Sequence, residues 1–399
     1  MTGANTFSVS GYGPERSSMS RLLARDSLAR RLDWPILLSA LALSFMGAIL
    51  VYSATRNRTE INQGDQYYFL IRHLMNTGIG FCLMIGTVWL GHRNLRTAVP
   101  ILYGLSVLLI LMVLTPLGAT VNGAHAWIVF GGGFSLQPSE FVKITIILGM
   151  AMLLAARVDA GDKPYPDHRT VLQALGLAAV PMMVVMLMPD LGSVMVMVII
   201  VLGVLLASGA SNRWIFGLLG TGALGAVLIW QLGVLDEYQI NRFAAFANPE
   251  LDPSGVGYNT NQARIAIGSG GLTGTGLFHG SQTTGQFVPE QQTDFVFTVA
   301  GEELGFVGAG LIILLLGVVL WRACRIARET TELYGTIVAA GIIAWFAFQA
   351  FENIGMTLGI MPVAGLPLPF VSYGGSSMFA VWVAVGLLQS IRVERPMSA

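Results

Sequence analysis

Long runs of apolar residues recur along the chain, and short polar segments separate them. A membrane-spanning helix needs roughly 20 predominantly apolar residues, and ten runs approach or exceed that length. The ten runs are residues 34–53, 70–90, 98–116, 139–156, 171–188, 191–209, 213–232, 295–321, 336–359 and 374–391. The pattern therefore predicts an all-α, polytopic membrane protein with ten transmembrane helices.

The positions of Lys and Arg set the expected orientation, because cytoplasmic loops of membrane proteins carry an excess of these residues. With both termini inside, 16 of the 22 basic residues fall on the cytoplasmic side. These are Arg16, Arg21, Arg25, Arg30, Arg31, Arg93, Arg96, Arg157, Lys163, Arg169, Arg213, Arg322, Arg325, Arg328, Arg392 and Arg395. The outer side keeps Arg56, Arg58, Arg72, Lys143, Arg242 and Arg264. We therefore expect both termini in the cytoplasm.

This topology divides the chain into three parts. Residues 1–33 form a basic cytoplasmic tail, residues 34–391 a ten-helix membrane domain, and residues 392–399 a short cytoplasmic tail. The polar interval at about residues 233–294 follows the seventh span, so we expect it to be a large extracytoplasmic loop. The first 30 residues lack an apolar core, which favours a retained tail over a cleaved signal peptide.

Composition agrees with a membrane protein and narrows the partners. The chain is 54% hydrophobic and 11% charged, whereas a soluble domain carries about 25% charged residues. The formal net charge is zero, which argues against a nucleic-acid partner.

Most polar motifs fall on the predicted outer side. In "LQPSEFVK", residues 136–143, Glu140 and Lys143 lie at i and i+3 on one helical face just inside a span. Charges at this depth are unfavourable unless they are paired or face a wet cavity. Two interpretations remain open: a local ion pair that closes the helix end, or a Lys143 cation for an anionic substrate group with Glu140 orienting it.

Two further outer motifs have simpler explanations. Asp190 in "MPDLGS" precedes a span, and we favour a helix N-cap for it. His125 in "NGAHAWI" follows the turn dipeptide Asn122-Gly123, and Trp127 fits an aromatic at the membrane interface. On these residues alone, that segment is a loop with a membrane anchor.

The glycine-rich segment "GYNTNQARIAIGSGGLTGTG", residues 257–276, invites comparison with phosphate-binding loops. No Lys-Ser/Thr pair follows it and no predicted strand precedes it, so it matches neither usual form. A flexible connector or a close-packed turn is the favoured interpretation. The alternative is that the backbone amides of this segment, with Gln262 and Arg264 beside them, bind a pyrophosphate.

The segment "FVPEQQTDFVFTVAGEELGF", residues 287–306, concentrates four carboxylates at a span entrance. We expect Glu290 and Asp294 at i and i+4 on one helical face, with Glu302 and Glu303 two turns deeper. Four roles remain open for these carboxylates: capping a helix, pairing with a cation, acting as a general base, or carrying a proton.

Six motifs occur in one order across the ten spans, and together they resemble the SEDS family of shape, elongation, division and sporulation proteins. Besides the segments quoted above, the last motif is "NIGMTLGIMPVAGLPLPFVSYGGSS", residues 353–377. The resemblance implies a glycosyltransferase that polymerises lipid II into peptidoglycan on the outer face of the bacterial inner membrane. It also implies a class B penicillin-binding protein and other elongation-complex membrane proteins as partners. The motifs resemble elongation members more than division members.

The resemblance also assigns residues. Asp294 matches the family's catalytic aspartate, and Glu140 and Lys143 match the polar pair that lines its central cavity. Other matched positions, without an assigned role, are Asp190, Gln262, Glu302, Ser376 and Ser377. His125 stands where relatives often carry Arg or Lys, which puts a pyrophosphate-binding role there in doubt.

Three points stay open at this stage. A divalent cation, Mg²⁺ or Mn²⁺, is a chemically reasonable aid to the leaving pyrophosphate, but the sequence offers no dedicated ligand set. A lipid II flippase is the competing functional class, since membrane carboxylates and a central cavity suit a transporter too. A non-catalytic scaffold of the wall-synthesis complex is the third hypothesis.

Overall fold

A computed structural model describes residues 28–58, 64–121, 124–130, 134–162, 165–188, 190–231, 233 and 256–394. The helices that precede the central strands are α1 (Leu28–Arg31), α2 (Trp34–Thr55), α3 (Tyr68–Leu90) and α4 (His92–Val113). The strands are β1 (Gly118–Val121), β2 (Ala124–Phe130) and β3 (Phe134–Leu136). The next helices are α5 (Pro138–Asp159), α6 (His168–Met186), α7 (Leu191–Ala207), α8 (Asn212–Gln231) and α9 (Val256–Ser269). The last are α10 (Ser281–Thr284), α11 (Val296–Glu303), α12 (Gly305–Glu329), α13 (Leu333–Leu358) and α14 (Gly375–Val393).

Every predicted span falls on a helix. Within the described residues, eight helices are long and apolar enough to cross a membrane, namely α2 to α6 and α12 to α14. The predicted span 191–209 corresponds to α7, a shorter apolar helix, and 213–232 corresponds to α8. The mainly helical, multi-span prediction is confirmed, and the count of ten crossings stays a prediction.

Small residues let the long helices pack closely. Helix α14 lies along α3, where a Cβ added at Gly386 would meet Thr87 Cβ at 2.8 Å. Helix α13 packs on α7 and α5, and Gly203 of α7 abuts Ala344 in the same way. Close approach of backbones through small residues is the usual way to join helices in a membrane. Helix α13 thereby occupies the centre of the bundle.

The predicted eighth span, residues 295–321, is wrong as one continuous helix. The chain breaks at Leu304, between α11 and α12, and Gly305 adopts a left-handed φ of +65°. The amides of Phe306 and Val307 donate to Gly271 O at 3.0 Å and Leu272 O at 3.1 Å. The first amide groups of a helix have no partner within it. Carbonyl groups of the glycine-rich segment therefore accept the hydrogen bonds of two amides at the start of α12.

The all-α prediction misses a small antiparallel sheet of order β1-β2-β3 between α4 and α5. Gly118 pairs with Ile128, Val121 pairs with Ala124, and Ile128 pairs with Leu136. Asn122 and Gly123, predicted as a turn, lie outside the described residues.

Residues predicted to share the cytoplasmic side do lie together. Buried Asp33 accepts hydrogen bonds from Arg322 Nη2 at 2.6 Å and from Arg392. At a second cluster, Arg96 Nη1 lies 2.9 Å from Asp159 Oδ2. The chain ends described here therefore meet at one end of the bundle. Which side of the membrane that end faces stays a prediction, and residues 1–27, Lys163, 234–255 (with Arg242) and Arg395 lie outside the described residues.

Candidate functional site

Glu140 and Lys143 form an ion pair near the start of α5. Pro138 is the first residue of the helix, so the two side chains emerge one turn apart on the same face. Lys143 Nζ lies 2.7 Å from Glu140 Oε1, and both side chains are buried. The predicted ion pair is therefore present, and a role of Lys143 towards a substrate stays a prediction. Glu140 Oε2 has no hydrogen-bond partner among the described residues.

Helix α13 holds the other side of Lys143. Lys143 Nζ donates to Gln349 Oε1 at 3.3 Å and lies 4.9 Å from the centre of the Trp345 ring. Trp345 Nε1 donates to the same Gln349 oxygen at 2.6 Å. The Lys143 amine is thus enclosed by a carboxylate, an amide oxygen and an aromatic face.

Helix α13 also holds the loop that follows it, residues 359–374, which we call the α13–α14 loop. Gln349 Nε2 donates to Pro367 O at 2.7 Å. One turn further along, Asn353 Nδ2 donates to Leu366 O at 2.6 Å and to Asp294 O at 2.8 Å. The polar face of α13 therefore connects the Glu140–Lys143 pair with the segment that carries Asp294.

The Asp294 side chain is half-buried and lies beside the α13–α14 loop. A Cβ added at Gly365 would lie 3.4 Å from Asp294 Oδ2, and Gly365 itself has φ +70°. Phe295 and Phe297, on the C-terminal side of Asp294, are buried. The Asp294 carboxylate thus lies beside the main chain of the α13–α14 loop at Gly365.

Two further hydrogen bonds fix the turn before Asp294 to the same loop. Ser372 Oγ donates to Thr293 O at 2.5 Å, and Tyr373 N donates to Gln292 O at 2.8 Å. The sequence did not single out Gln349, Asn353 or Ser372. Their apolar surroundings are the signal that was available, since a buried polar side chain in a membrane helix needs a specific partner.

The expected helical face for Glu290 and Asp294 is wrong, because α11 begins only at Val296. Glu290 has φ +49°, and its Oε2 accepts hydrogen bonds from Gln292 Nε2 at 3.2 Å and Thr293 Oγ1 at 3.1 Å. Glu290 therefore closes its own turn, whereas Asp294 points to the α13–α14 loop.

Arg58 is a cation beside the Asp294 segment that the sequence did not single out. Its Nη2 donates to Val288 O at 2.9 Å and to Gln291 Oε1 at 3.3 Å. Burial lowers the pKa of the Arg58 guanidinium, and the charge of Glu290 opposes that shift. Arg58 thus fixes the segment before Asp294 to the end of α2.

Asp190 is the N-cap of α7, as favoured from the sequence. Its Oδ1 accepts from Ser193 N at 3.0 Å, and its Oδ2 accepts from Gln137 Nε2 at 3.2 Å. Gln137 N in turn donates to Ser376 Oγ at 2.8 Å. Asp190 and Ser376 therefore hold the start of α5 against α7 and α14.

Glu302 also has a structural arrangement. Its carboxylate accepts from Gln282 N at 2.7 Å, Thr283 N at 2.9 Å and Thr283 Oγ1 at 2.7 Å. Neighbouring Glu303 accepts from Ser53 Oγ at 2.6 Å. The Glu302 carboxylate therefore closes the turn around α10, whereas Glu303 connects the end of α11 with α2.

The glycine-rich segment packs against backbone. A Cβ at Gly270 would meet Gly301 O at 2.0 Å, and one at Gly274 would meet Glu303 O at 2.1 Å. The amides of Gly274, Thr275 and Gly276 donate to carbonyls of Gly270, Glu302 and Glu303. The close-packed turn is confirmed, and these amides are not available to a pyrophosphate.

The remaining predicted residues are dispersed. His125 lies on β2, and its Nδ1 is 3.0 Å from Thr120 Oγ1. Gln262 and Arg264 lie on α9 rather than in a loop, and Arg264 is exposed, with its Cδ 3.2 Å from a Cβ built on Gly359. Ser377 is half-buried in the first turn of α14.

No group of three or more His, Cys, Asp or Glu side chains suited to a metal ion occurs among the residues that the structure describes. Glu140, Asp190 and Glu302 are each bound to different protein partners. A divalent cation therefore stays a prediction without an identified ligand set.

Comparisons with known proteins place the chain among wall-synthesis proteins. The family model FTSW_RODA_SPOVE, described as "Cell cycle protein", matches residues 33–396. Stage V sporulation protein E of Bacillus subtilis is 38% identical over 364 residues, which are 90% of this chain and 96% of that protein. The probable peptidoglycan glycosyltransferase FtsW of Trichlorobacter lovleyi is 36% identical over 380 residues, or 94% of this chain and 96% of that protein.

Solved structures have the same fold. One is a chain from work on the structural coordination of polymerization and crosslinking by a peptidoglycan synthase complex. It matches with a TM-score of 0.76 and 28% identity, covering 92% of this chain and 99% of that chain. The rod shape determining protein RodA of Thermus thermophilus matches with a TM-score of 0.65 and 29% identity, covering 92% and 98%.

Proposed function

The chain belongs to the FtsW, RodA and SpoVE family of cell cycle proteins, and we propose that it is a peptidoglycan glycosyltransferase that polymerises lipid II. Relatives that are named peptidoglycan glycosyltransferases support the reaction class. The single observation that carries the proposal is the Asp294 carboxylate beside Gly365, at the meeting point of two motifs from distant parts of the chain.

The proposed step transfers a glycosyl group with inversion. The acceptor GlcNAc 4-hydroxyl oxygen forms a bond to the anomeric carbon of the donor MurNAc, and Asp294 accepts the hydroxyl proton. The bond from that carbon to the pyrophosphate oxygen breaks, and undecaprenyl pyrophosphate leaves with the electron pair. An α-linked donor thus gives a β-1,4 bond. A well-placed general base contributes roughly 10²–10⁴-fold to such a rate.

The surroundings of Asp294 suit this role. Asp294 is half-buried just before the start of α11, and its carboxylate lies beside the main chain of Gly365. Glu290, the nearest alternative in sequence, already accepts two hydrogen bonds within its own turn. Asp294, which matches the catalytic aspartate that the family resemblance implies, is the proposed base.

The leaving pyrophosphate needs positive charge. Lys143 is buried and paired with Glu140. We therefore assign it to positioning Gln349 and the α13–α14 loop, and not to direct contact with the leaving group. Arg264 is exposed on α9 and packs on Gly359, at the start of the α13–α14 loop. Arg264 is therefore the preferred cation for the leaving group.

We assign the chain to the bacterial inner membrane, with both termini in the cytoplasm and the site on the outer face. A class B penicillin-binding protein is the proposed partner, and the structural likeness to a chain of a peptidoglycan synthase complex supports such an assembly. For the biological role, the motifs of residues 280–297 and 353–377 favour elongation, as in RodA. The curated relatives above are named for sporulation and division, so division is the alternative.

A flippase and a scaffold are the competing functions. A transporter site is expected near the middle of the membrane between broken helices of two matching halves. Here the polar groups around Asp294 meet just after α2, just before α11 and in the last two turns of α13. This arrangement favours a site near one membrane surface.

One assay separates the three functions. Purified protein is mixed with lipid II, with any partner present carrying a blocked transpeptidase site, and the products are resolved on a gel. Glycan polymer that disappears with Asp294→Ala supports the enzyme. Lipid movement across vesicles without polymer supports the flippase, and neither product supports the scaffold.

A further inference from the structure

Three buried side chains form a stripe along α13. Trp345, Gln349 and Asn353 are spaced at i, i+4 and i+8, so they share one helical face. All three are fully buried. A stripe that carries two amides inside a membrane bundle is unfavourable unless each amide has a defined partner.

The partners of this stripe are consecutive carbonyl groups of one loop. Gln349 Nε2 donates to Pro367 O, and Asn353 Nδ2 donates to Leu366 O. Gln349 Oε1 meanwhile accepts from Lys143 Nζ. Helix α13 therefore sets the position of residues 366–367 relative to the Glu140–Lys143 pair.

Asn353 has a second partner that Gln349 lacks. The two N–H groups of its amide go to different segments, one to Leu366 O at 2.6 Å and one to Asp294 O at 2.8 Å. Leu366 follows Gly365, whose main chain lies beside the Asp294 carboxylate. The Asn353 carboxamide thus links the main chain of Asp294, the proposed base, to the main chain of Leu366 in the α13–α14 loop.

We propose that Asn353 is a positioning residue for the glycosyl transfer: its carboxamide clamps the Asp294 carbonyl to the Leu366 carbonyl and thereby aims the Asp294 carboxylate. This inference rests on the proposed function of Asp294. Asn353 touches no reacting atom, and it acts through the main chain of Asp294.

Asn353→Asp is the most specific substitution for testing this clamp. Aspartate has nearly the same shape but carries oxygen where Asn353 Nδ2 faces two carbonyl oxygens, so both hydrogen bonds are lost and the contacts become repulsive. A displacement of about 1 Å at a reacting group can lower a rate about 10²-fold. Substrate binding to the rest of the site is not changed directly.

The matched control is Thr357→Val, one turn further along the same helix. Thr357 is fully buried, and its hydroxyl donates to Ile354 O within α13. The hydrogen bond that this substitution removes lies within the helix and involves neither the α13–α14 loop nor Asp294. It therefore reports the effect of a small defect in α13 alone.

The experiment measures kcat and KM for lipid II polymerisation, the thermal midpoint, and hydrogen–deuterium exchange of peptides covering residues 290–295 and 364–373. Asn353→Asp is expected to lower kcat about 10- to 100-fold while KM changes less than about 3-fold. Exchange should rise in both peptides and stay unchanged in α5 and α7. Thr357→Val should retain wild-type kcat and wild-type exchange in both peptides.

Three results would overturn the proposal: wild-type kcat in Asn353→Asp, a loss of kcat with unchanged exchange in both peptides, or a rise of exchange across the whole bundle. If Asn353→Asp does not fold, Asn353→Ser carries the test, because its hydroxyl keeps one donor and predicts a smaller loss of kcat. Asp294→Ala separates the two proposals. If it keeps polymerising, the base assignment fails, while the exchange data still report whether Asn353 clamps the two segments.

Discussion

Lys143 and Glu140 form a salt bridge that is fully enclosed by protein, with Nζ and Oε1 2.7 Å apart. Gln349 is the third member of this group and links it to the α13–α14 loop. The pair therefore contributes to the position of the loop beside Asp294. Removing either charge would leave the other buried without a partner, which is strongly unfavourable.

Lys143→Met should destabilise the protein, because it leaves the Glu140 carboxylate buried without its cation. Loss of one partner of a buried pair lowers the free energy of unfolding by about 3–5 kcal/mol. The double variant Glu140→Gln/Lys143→Met removes both charges and should recover most of that stability. Thermal unfolding in detergent measures both effects.

Polymerisation of lipid II by the same variants separates stability from activity. We expect the double variant to fold but to polymerise more slowly than wild type, since Gln349 loses the ammonium that orders it. Wild-type activity in the double variant would limit the pair to a role in folding.

Gly274→Ala should prevent a close backbone contact. Gly274 has φ +83°, and a Cβ there would lie 2.1 Å from Glu303 O. The left-handed backbone alone costs about 1–2 kcal/mol for a residue with a Cβ, and the clash adds to it. The amount of folded protein after gel filtration should fall.

Gly268→Ala is the control for this glycine. Gly268 lies in α9, and a Cβ there would meet nothing within 4 Å. Alanine in a helix is more favourable than glycine by about 0.5–1 kcal/mol, so this variant should be as stable as wild type or slightly more stable. Equal stability of the two variants would contradict close packing as the role of the glycine-rich segment.

Asp190→Ala should weaken the start of α7 without abolishing activity. The substitution removes the cap on Ser193 N, and loss of such a cap typically lowers stability by about 1 kcal/mol. Asp190→Asn keeps the oxygen that caps Ser193 N but loses the acceptor for Gln137 Nε2, so its thermal midpoint should fall less than that of Asp190→Ala. A complete loss of polymerisation in a well-folded Asp190→Asn variant would instead indicate a direct role of the charge.

The apolar pattern predicted the helices well, because a membrane span must satisfy its own backbone hydrogen bonds along a long apolar run. The pattern did not predict the two features that depend on local backbone geometry, namely the helix break at Leu304 and the small sheet. The break at Leu304 depends on Gly305 in a left-handed conformation and on contacts with Gly271 and Leu272, far away in sequence. The sheet of β1 to β3 depends on pairing across short segments whose apolar alternation is weak.

The candidate site was predicted in part. Local signals were sufficient for the Glu140–Lys143 pair and for the Asp190 cap, since each involves residues three positions apart. The contact of Asp294 with Asn353 joins positions that are 59 residues apart. Spacing along the chain carries no information about such a pair, so the clamp on the proposed base became visible only in three dimensions.

The most direct test of the central claim is the rate of lipid II polymerisation by purified Asp294→Asn, compared with Glu290→Gln. Both variants exchange a carboxylate for an amide of the same shape, and only Asp294 is the proposed base. We predict that Asp294→Asn lowers the rate by at least about 10²-fold with an unchanged thermal midpoint, while Glu290→Gln keeps most of the activity. Polymerisation at the wild-type rate by folded Asp294→Asn would contradict the account.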